Sequence, residues 1–122
     1  MKIYFGHSRV DDFESQYYEP IKKSSLVNDH EFIFPHERDN ELGNSKQTIE
    51  NCDLVIAEVS DPSLALGIEI GWSEMFNKKI LFLHKKGATV SRSLKHVSKN
   101  ILEYNDAEDM VEKINLFINE IK

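Results

Sequence analysis

The stretch DLVIAEVSDPSLALGIEIGW, residues 53–72, joins the most hydrophobic run of the chain to a segment with helical spacing. Its first part, 53–59, is short and almost entirely apolar, as is typical of a strand buried on both faces of a parallel sheet. After a polar turn, apolar residues return at helical spacing over 65–77, which predicts a helix. A buried strand followed directly by a helix is the repeating unit of parallel α/β sheets. The stretch therefore predicts an α/β fold.

The same alternation runs along the whole chain. Short apolar runs predict further strands, and helical spacing between them predicts further helices; the strands are expected at 2–5, 31–34, 79–84 and 100–104, and the helices at 11–26, 45–52, 92–98 and 107–121. Because crossovers between parallel strands are right-handed, this order predicts a doubly wound, flavodoxin- or Rossmann-like α/β sandwich with a five-stranded parallel sheet and helices on both faces. A length of 122 residues suits one hydrophobic core, so we expect a single domain over 1–122.

The composition excludes several classes of function. Fifteen basic against 21 acidic residues give a formal charge of -6, which repels a polyanion and argues against a nucleic-acid partner. The lone Cys52 allows no internal disulfide and the five histidines show no metal-ligand spacing, so we expect neither a metal nor a cofactor. No segment has the long apolar core of a secretion signal or a membrane span. We therefore expect no membrane partner and a cytoplasmic location.

Candidate binding residues follow the first predicted strand. Ligands of doubly wound sheets bind at the carboxyl ends of the strands, and Gly6, Ser8 and Arg9 lie at such an end. They supply a glycine, a hydroxyl and a guanidinium, a combination that suits a small anion. The alternative is that Ser8 is a turn or cap residue and that Arg9 is a solvated cation.

The loop after the second predicted strand is strongly charged. His36, Glu37, Arg38 and Asp39 stand together there, directly after Pro35. At the carboxyl end of a strand such a cluster can reach a polar ligand, although a charged loop is more often only solvated. We keep His36 and Glu37 as candidate substrate-binding residues.

The helix of the opening stretch contains one acid in a glycine frame. Gly67 and Gly71 flank Glu69, and each glycine costs about 1 kcal/mol relative to alanine inside a helix. Close approach of the backbone to the sheet, or to a ligand, would offset that cost. Ser63, just before the helix, can bond nearby amides or a ligand. The residues alone leave two readings of Glu69 open, a solvated helix residue and a reactive carboxylate.

Three segments together resemble a known family. KIYFGHS at 2–8, CDLVIAEVSDPSLALGIEIGW at 52–72 and NKKILFL at 77–83 are similar to the nucleoside 2-deoxyribosyltransferase superfamily, most closely to its 2′-deoxynucleoside 5′-phosphate N-hydrolase branch. The resemblance spans about 2–104. It implies that Glu69 is the catalytic nucleophile and that Tyr4 hydrogen-bonds its carboxylate.

The resemblance also implies a binding site for the rest of the substrate. Ser63 would hold a 5′-phosphate together with Ser8 and Arg9, and the backbone at Gly67 would approach the ligand closely. In relatives a serine of the neighbouring subunit completes the pocket, and Ser91 is the nearest match. A homodimer or larger homo-oligomer is therefore expected.

One position departs from the family pattern. Where relatives place an aspartate that assists the nucleobase, this chain has Ser45; His36, Glu37 or Asp39 could substitute for it. The implied activity is that of an N-glycosidase acting on a small-molecule nucleoside or its 5′-monophosphate, with hydrolysis favoured over base exchange. The alternative is a nucleotide-binding or signalling module with weak or no turnover. A phosphoacceptor receiver domain shares the topology but needs paired acids after the first strand, where this chain has GHSR.

Overall fold

A computed structural model describes residues 1–37 and 45–122 as a parallel sheet covered by helices. The strand order is β2-β1-β3-β4-β5, and every described pairing is parallel. This confirms the predicted doubly wound α/β fold. The strands are β1 (Lys2–His7), β2 (Glu31–Ile33), β3 (Leu54–Glu58), β4 (Lys79–Lys85) and β5 (Ile101–Tyr104).

Helices cover both faces of the sheet. They are α1 (Glu19–Lys22), α2 (Leu26–Asp29), α3 (Ser45–Asn51), α4 (Leu64–Met75) and α5 (Ala107–Ile121). Alternate residues of the central strands point to opposite faces, so Phe5 and Ile56 pack with α1, α2 and α5, whereas Tyr4 and Val55 pack with α3 and α4. The location of each candidate site residue depends on which of these two faces its side chain occupies.

The predicted helix over 11–26 is wrong as a single element. The structure has a π-helix at Glu14–Tyr18, then α1 and α2 as separate short helices. The chain is helical without interruption from Glu14 to Lys22, and it breaks only at 23–25, before α2. Pro20 accounts for the π-helix rather than for that break, because proline has no N–H to donate to the preceding turn and its ring crowds the carbonyl four residues earlier. The chain responds with a wider turn, in which Glu19 N–H bonds the Glu14 carbonyl. The predicted helix over 92–98 is likewise a 3₁₀-helix, Arg92–His96.

The prediction that Gly67 and Gly71 let α4 approach the sheet is wrong. Both glycines are exposed, and a Cβ added at either would meet no atom within 4 Å. The face of α4 that packs on the sheet instead carries Leu66, Ile70 and Ser73. The two glycines therefore lie on the outer part of the helix, beside the exposed side chains of Leu64, Ile68 and Met75.

A helix needs about 20 predominantly apolar residues to cross the hydrocarbon core. Within 1–37 and 45–122, none of the helices combines that length with that apolarity.

Candidate active site

Glu69 and Tyr4 form a hydrogen-bonded pair between α4 and β1. Ser63 caps the helix, its hydroxyl oxygen accepting the Leu66 N–H at 3.2 Å, and Glu69 lies in the second turn. From there its side chain reaches the sheet, where Tyr4 O–H donates to Oε2 at 2.7 Å. Burial, the neighbouring Glu69 charge and this bond raise the pKa of Tyr4, so its hydroxyl stays protonated and remains a donor. The solvated alternative for Glu69 is not what the structure shows.

Gly6 makes room for the second oxygen of that carboxylate. A Cβ on Gly6 would lie 3.4 Å from Glu69 Oε1 and 3.1 Å from Leu66 Cδ1. The latter distance is tighter than ordinary van der Waals contact, so with a larger residue the Leu66 side chain would have to give way by a few tenths of an ångström. Gly6 was predicted to bind substrate; the structure gives it a position directly beneath the Glu69 carboxylate, which only a residue without a side chain can occupy undisturbed.

Ser45, at the start of α3, joins the same cluster. Its hydroxyl is within hydrogen-bonding reach of both Tyr4 and Glu69. Burial raises the pKa of Glu69, and the hydrogen bonds from Tyr4 and Ser45 oppose that rise. Desolvation favours the neutral acid, whereas donated hydrogen bonds favour the carboxylate. The position that departs from the family pattern thus contacts the carboxylate itself.

A cavity of about 240 Å³ opens beside this cluster. Its lining comes from the end of β1, from the turn after β2, and from α3 and α4; the lining residues are His7, Arg9, Pro35, His36, Ser45, Ser63, Ala65, Leu66 and Glu69. The cavity therefore brings together Arg9, Ser63 and His36 of the predicted set with Glu69. Among the described residues that line the cavity, Arg9 carries the positive charge.

Two further hollows adjoin this cavity. One, of about 410 Å³, lies between α4 and the chain around Arg92–His96, and shares Ser63 with the Glu69 cavity. Gly67 and Ser91 line this groove. The other, of about 130 Å³, lies along β2 and α3 and is lined by Glu37, Ser45 and Tyr4 among others.

The remaining predicted residues lie apart from Glu69. Ser8 is buried, and its carbonyl accepts a hydrogen bond from His7. Glu37 is exposed and forms an ion pair with Lys22. Asp39 lies outside the described residues.

His7 and Tyr18 were not among the predicted site residues. His7 lines the Glu69 cavity and is buried, and the Tyr18 hydroxyl lies 2.6 Å from its Nε2. Burial lowers the pKa of His7 to about 4, so its ring is neutral at pH 7. The position of His7 at the carboxyl end of the predicted first strand could have indicated a site residue. It was not singled out because the histidines were considered only as possible metal ligands.

The fold and the site together define the class of protein: a doubly wound α/β protein with a partly buried glutamate, bonded to a buried tyrosine, at the carboxyl edge of its sheet. No family profile matches the chain. Two curated relatives carry the name 5-hydroxymethyl-dUMP N-hydrolase. The one from Homo sapiens is 42% identical over 50 residues, covering 41% of this chain and 25% of the relative. The one from Branchiostoma floridae is 36% identical over 66 residues, covering 49% and 63%. The chain thus spans less than two thirds of either relative.

Solved structures of similar fold cover nearly the whole chain. The CMP N-glycosidase of Clostridium botulinum has a TM-score of 0.70 at 23% identity and covers 96% of this chain and 99% of its own. A deoxyribosyltransferase from Leishmania mexicana also has a TM-score of 0.70, at 15% identity, covering 97% of both chains. The structures confirm the fold, and together with the curated relatives they confirm the resemblance to the nucleoside 2-deoxyribosyltransferase superfamily.

Proposed function

We propose that this chain is an N-glycosidase that cleaves the N-glycosidic bond of a nucleoside or its 5′-monophosphate, with hydrolysis favoured over base exchange. The observation that carries the proposal is the Glu69 carboxylate: Tyr4 holds one oxygen at 2.7 Å, and the residue lines a cavity of about 240 Å³. The names of the relatives, an N-hydrolase and an N-glycosidase, support the same chemistry.

The proposed reaction proceeds through two displacements. The Glu69 carboxylate attacks the anomeric carbon, the bond between that carbon and the base nitrogen breaks, and the base leaves with the bonding electrons and takes up a proton. Water then attacks the same carbon and releases Glu69, giving overall retention. A 2-deoxy sugar reaches the oxocarbenium-like transition state more readily, because no 2-hydroxyl withdraws electrons.

Tyr4 and Ser45 serve this reaction by holding the nucleophile. A hydrogen bond to Oε2 directs the carboxylate, and both hydroxyls favour its ionised form against the effect of burial. We propose Glu69 and Tyr4 as the catalytic residues. Proton donation to the leaving base, which is worth typically about 10²–10⁴-fold, we assign to no single side chain; His36 lies in the same cavity.

The substrate class follows from the cavity and from the relatives. Arg9 and the Ser63 hydroxyl line the Glu69 cavity and suit a 5′-phosphate; Ser8, whose carbonyl is engaged by His7, would contribute through its hydroxyl or its N–H. The named N-hydrolases and the CMP N-glycosidase act on pyrimidine nucleoside monophosphates. We therefore propose pyrimidine 5′-monophosphates as the first substrates to test.

A second copy of the chain would cover the outer face of α4. Leu64 is 84% exposed there, with Ile68 and Met75 also exposed, and the 410 Å³ groove holding Gly67 and Ser91 lies alongside. We propose a homodimer or larger homo-oligomer through this face, with Ser91 contributing to the partner's site. Size-exclusion chromatography with light scattering measures the oligomeric state. A wild-type protein that cleaves substrate while it is monomeric would refute this proposal.

We also propose one domain over 1–122 and a cytoplasmic location, without nucleic-acid partners. The net charge of -6 disfavours polyanions. The single cysteine, Cys52, is buried and unpaired, which suits a reducing compartment.

The deciding experiment is a base-release assay. Free base is followed by chromatography with CMP, dCMP, dUMP and 5-hydroxymethyl-dUMP and with the corresponding nucleosides, with and without a second free base. Base release with wild type and none with Glu69→Gln supports the proposal. Formation of a new nucleoside when the second base is present would indicate transfer rather than hydrolysis.

Ser45 also supports the second candidate function, a nucleotide-binding or signalling module, since a hydroxyl replaces the family's aspartate next to Glu69. Calorimetric binding of a monophosphate to the wild-type chain with no base release would favour this reading. Neither binding nor release would exclude both functions.

A further inference from the structure

A buried chain of hydrogen bonds links β1 to the turn after β2. Tyr18 O–H lies 2.6 Å from His7 Nε2, and His7 Nδ1 lies 2.8 Å from the Ser8 carbonyl. A carbonyl oxygen can only accept, so Nδ1 carries the proton of the neutral ring. Nε2 therefore accepts from the Tyr18 hydroxyl, which leaves the Tyr18 oxygen to act as an acceptor in its turn.

The Tyr18 oxygen accepts the His36 backbone N–H at 3.3 Å. The ring of His36 stands edge-to-face against two further rings, with its centroid 5.0 Å from that of His7 and 5.6 Å from that of Phe13. His36 lines the Glu69 cavity, whereas Tyr18 is buried behind it. One hydroxyl thus connects the end of β1 to a residue of the cavity wall.

We infer that Tyr18 is a positioning residue, which fixes His36 in the wall of the Glu69 cavity and thereby sets how tightly substrate binds. This inference rests on the proposed function. Tyr18 bonds neither Glu69 nor Tyr4 among the described contacts, so its loss should weaken ground-state and transition-state binding alike and leave the bond-breaking step unchanged.

Tyr17 supplies a matched control. It precedes Tyr18, and both side chains are 1% exposed. Within 1–37 and 45–122 the Tyr17 hydroxyl has no hydrogen-bond partner, whereas the Tyr18 hydroxyl has two. Tyr18→Phe and Tyr17→Phe therefore remove the same atom from the same buried layer, but only the first breaks the chain to His36.

The experiment measures KM and kcat for base release and, in Glu69→Gln protein, the Kd for the same monophosphate. Tyr18→Phe should raise KM and Kd by roughly threefold to tenfold, the range expected for one or two hydrogen bonds, with kcat within twofold of wild type. Tyr17→Phe should leave all three unchanged. A fall in kcat at unchanged KM, or equal effects of the two variants, would overturn the inference.

Two further measurements separate positioning from general loosening. In a His36→Ala background, Tyr18→Phe should raise KM no further, because its effect passes through His36; an undiminished effect contradicts the inference. The His36 amide signal in ¹H–¹⁵N NMR should shift in Tyr18→Phe and stay in place in Tyr17→Phe.

If wild type binds nucleotide without releasing base, the proposed function fails, while the Kd and NMR measurements still test the role of Tyr18. Absence of all nucleotide binding refutes both.

Discussion

Two glutamates stand near the carboxyl edge of the sheet, and their surroundings differ sharply. Glu58, the last residue of β3, is 0% exposed and accepts hydrogen bonds from Ser60 N–H and Ser60 O–H, each at 2.8 Å, and from Tyr104 O–H. Glu69 is only partly buried; it accepts from Tyr4, has Ser45 within reach, and borders a cavity. The first carboxylate is enclosed by donors, whereas the second has fewer donors and lines a cavity.

The difference separates a carboxylate that ties the fold together from the carboxylate that we propose as the nucleophile. The donors around Glu58 also tie strand ends together, since Ser60 Oγ accepts the Lys85 N–H at 2.8 Å and Tyr104 ends β5. A buried carboxylate supplied with several donors stabilises the fold. A carboxylate with fewer donors, burial that raises its pKa and an open side has the properties of a nucleophile.

The largest expected effect comes from Glu69→Gln. The amide cannot attack the anomeric carbon, so base release should fall by at least about a thousandfold, as for other nucleophile removals. The protein should remain folded, because Gln can still accept from Tyr4. Chromatographic release assays and circular dichroism check the two parts. Substantial activity in this variant would remove Glu69 from the mechanism and with it the contrast to Glu58.

Glu58→Gln applies the same chemical change to the other site and should have the converse effect. The amide turns a donor towards Ser60 and Tyr104, which are themselves donors there. We expect a loss of about 1–3 kcal/mol in the free energy of unfolding, measured by urea titration, with turnover per folded molecule close to wild type. Retained stability together with lost turnover would show that Glu58 also serves the chemistry.

Gly6→Ala probes the contact between β1 and Glu69. The new Cβ would lie 3.1 Å from Leu66 Cδ1 and 3.4 Å from Glu69 Oε1, so the Leu66 side chain would have to shift by a few tenths of an ångström beside the carboxylate. We expect kcat to fall about tenfold, since small misplacements of reacting groups are costly, with a smaller change in KM. Steady-state kinetics tests this, with thermal denaturation as the check on folding. A kcat of Gly6→Ala equal to that of wild type would mean that Glu69 does not need the space above Gly6.

More of the fold than of the candidate site could be predicted from the sequence. The strands were predictable because buried runs such as 53–59 are apolar almost throughout. The π-helix before Pro20 and the break at 23–25 were missed because the helical spacing continues through both. The pairing of Tyr4 with Glu69 came from family resemblance alone, since no spacing reveals a contact between residues 65 positions apart. His7, Tyr18 and the proximity of Ser45 to Glu69 depend on how the π-helix, α3, α4 and β1 meet, which local patterns do not encode.

Ser45→Ala should give the smallest effect, and it tests whether Ser45 opposes the effect of burial on the pKa of Glu69. Burial raises the pKa of Glu69, and the Ser45 hydrogen bond lowers it, so the variant should carry a higher pKa. A protonated Glu69 cannot attack, and activity is lost as the pH falls through that pKa. The acid limb of the kcat/KM profile should therefore move to higher pH in Ser45→Ala, by less than about one unit for a single neutral hydrogen bond. Activity at pH values well above the limb should change little.

Ser63→Ala removes a hydroxyl from the same cavity without removing a described bond to Glu69, so its acid limb should coincide with that of wild type. An unmoved limb in Ser45→Ala would mean that Tyr4 alone keeps Glu69 ionised.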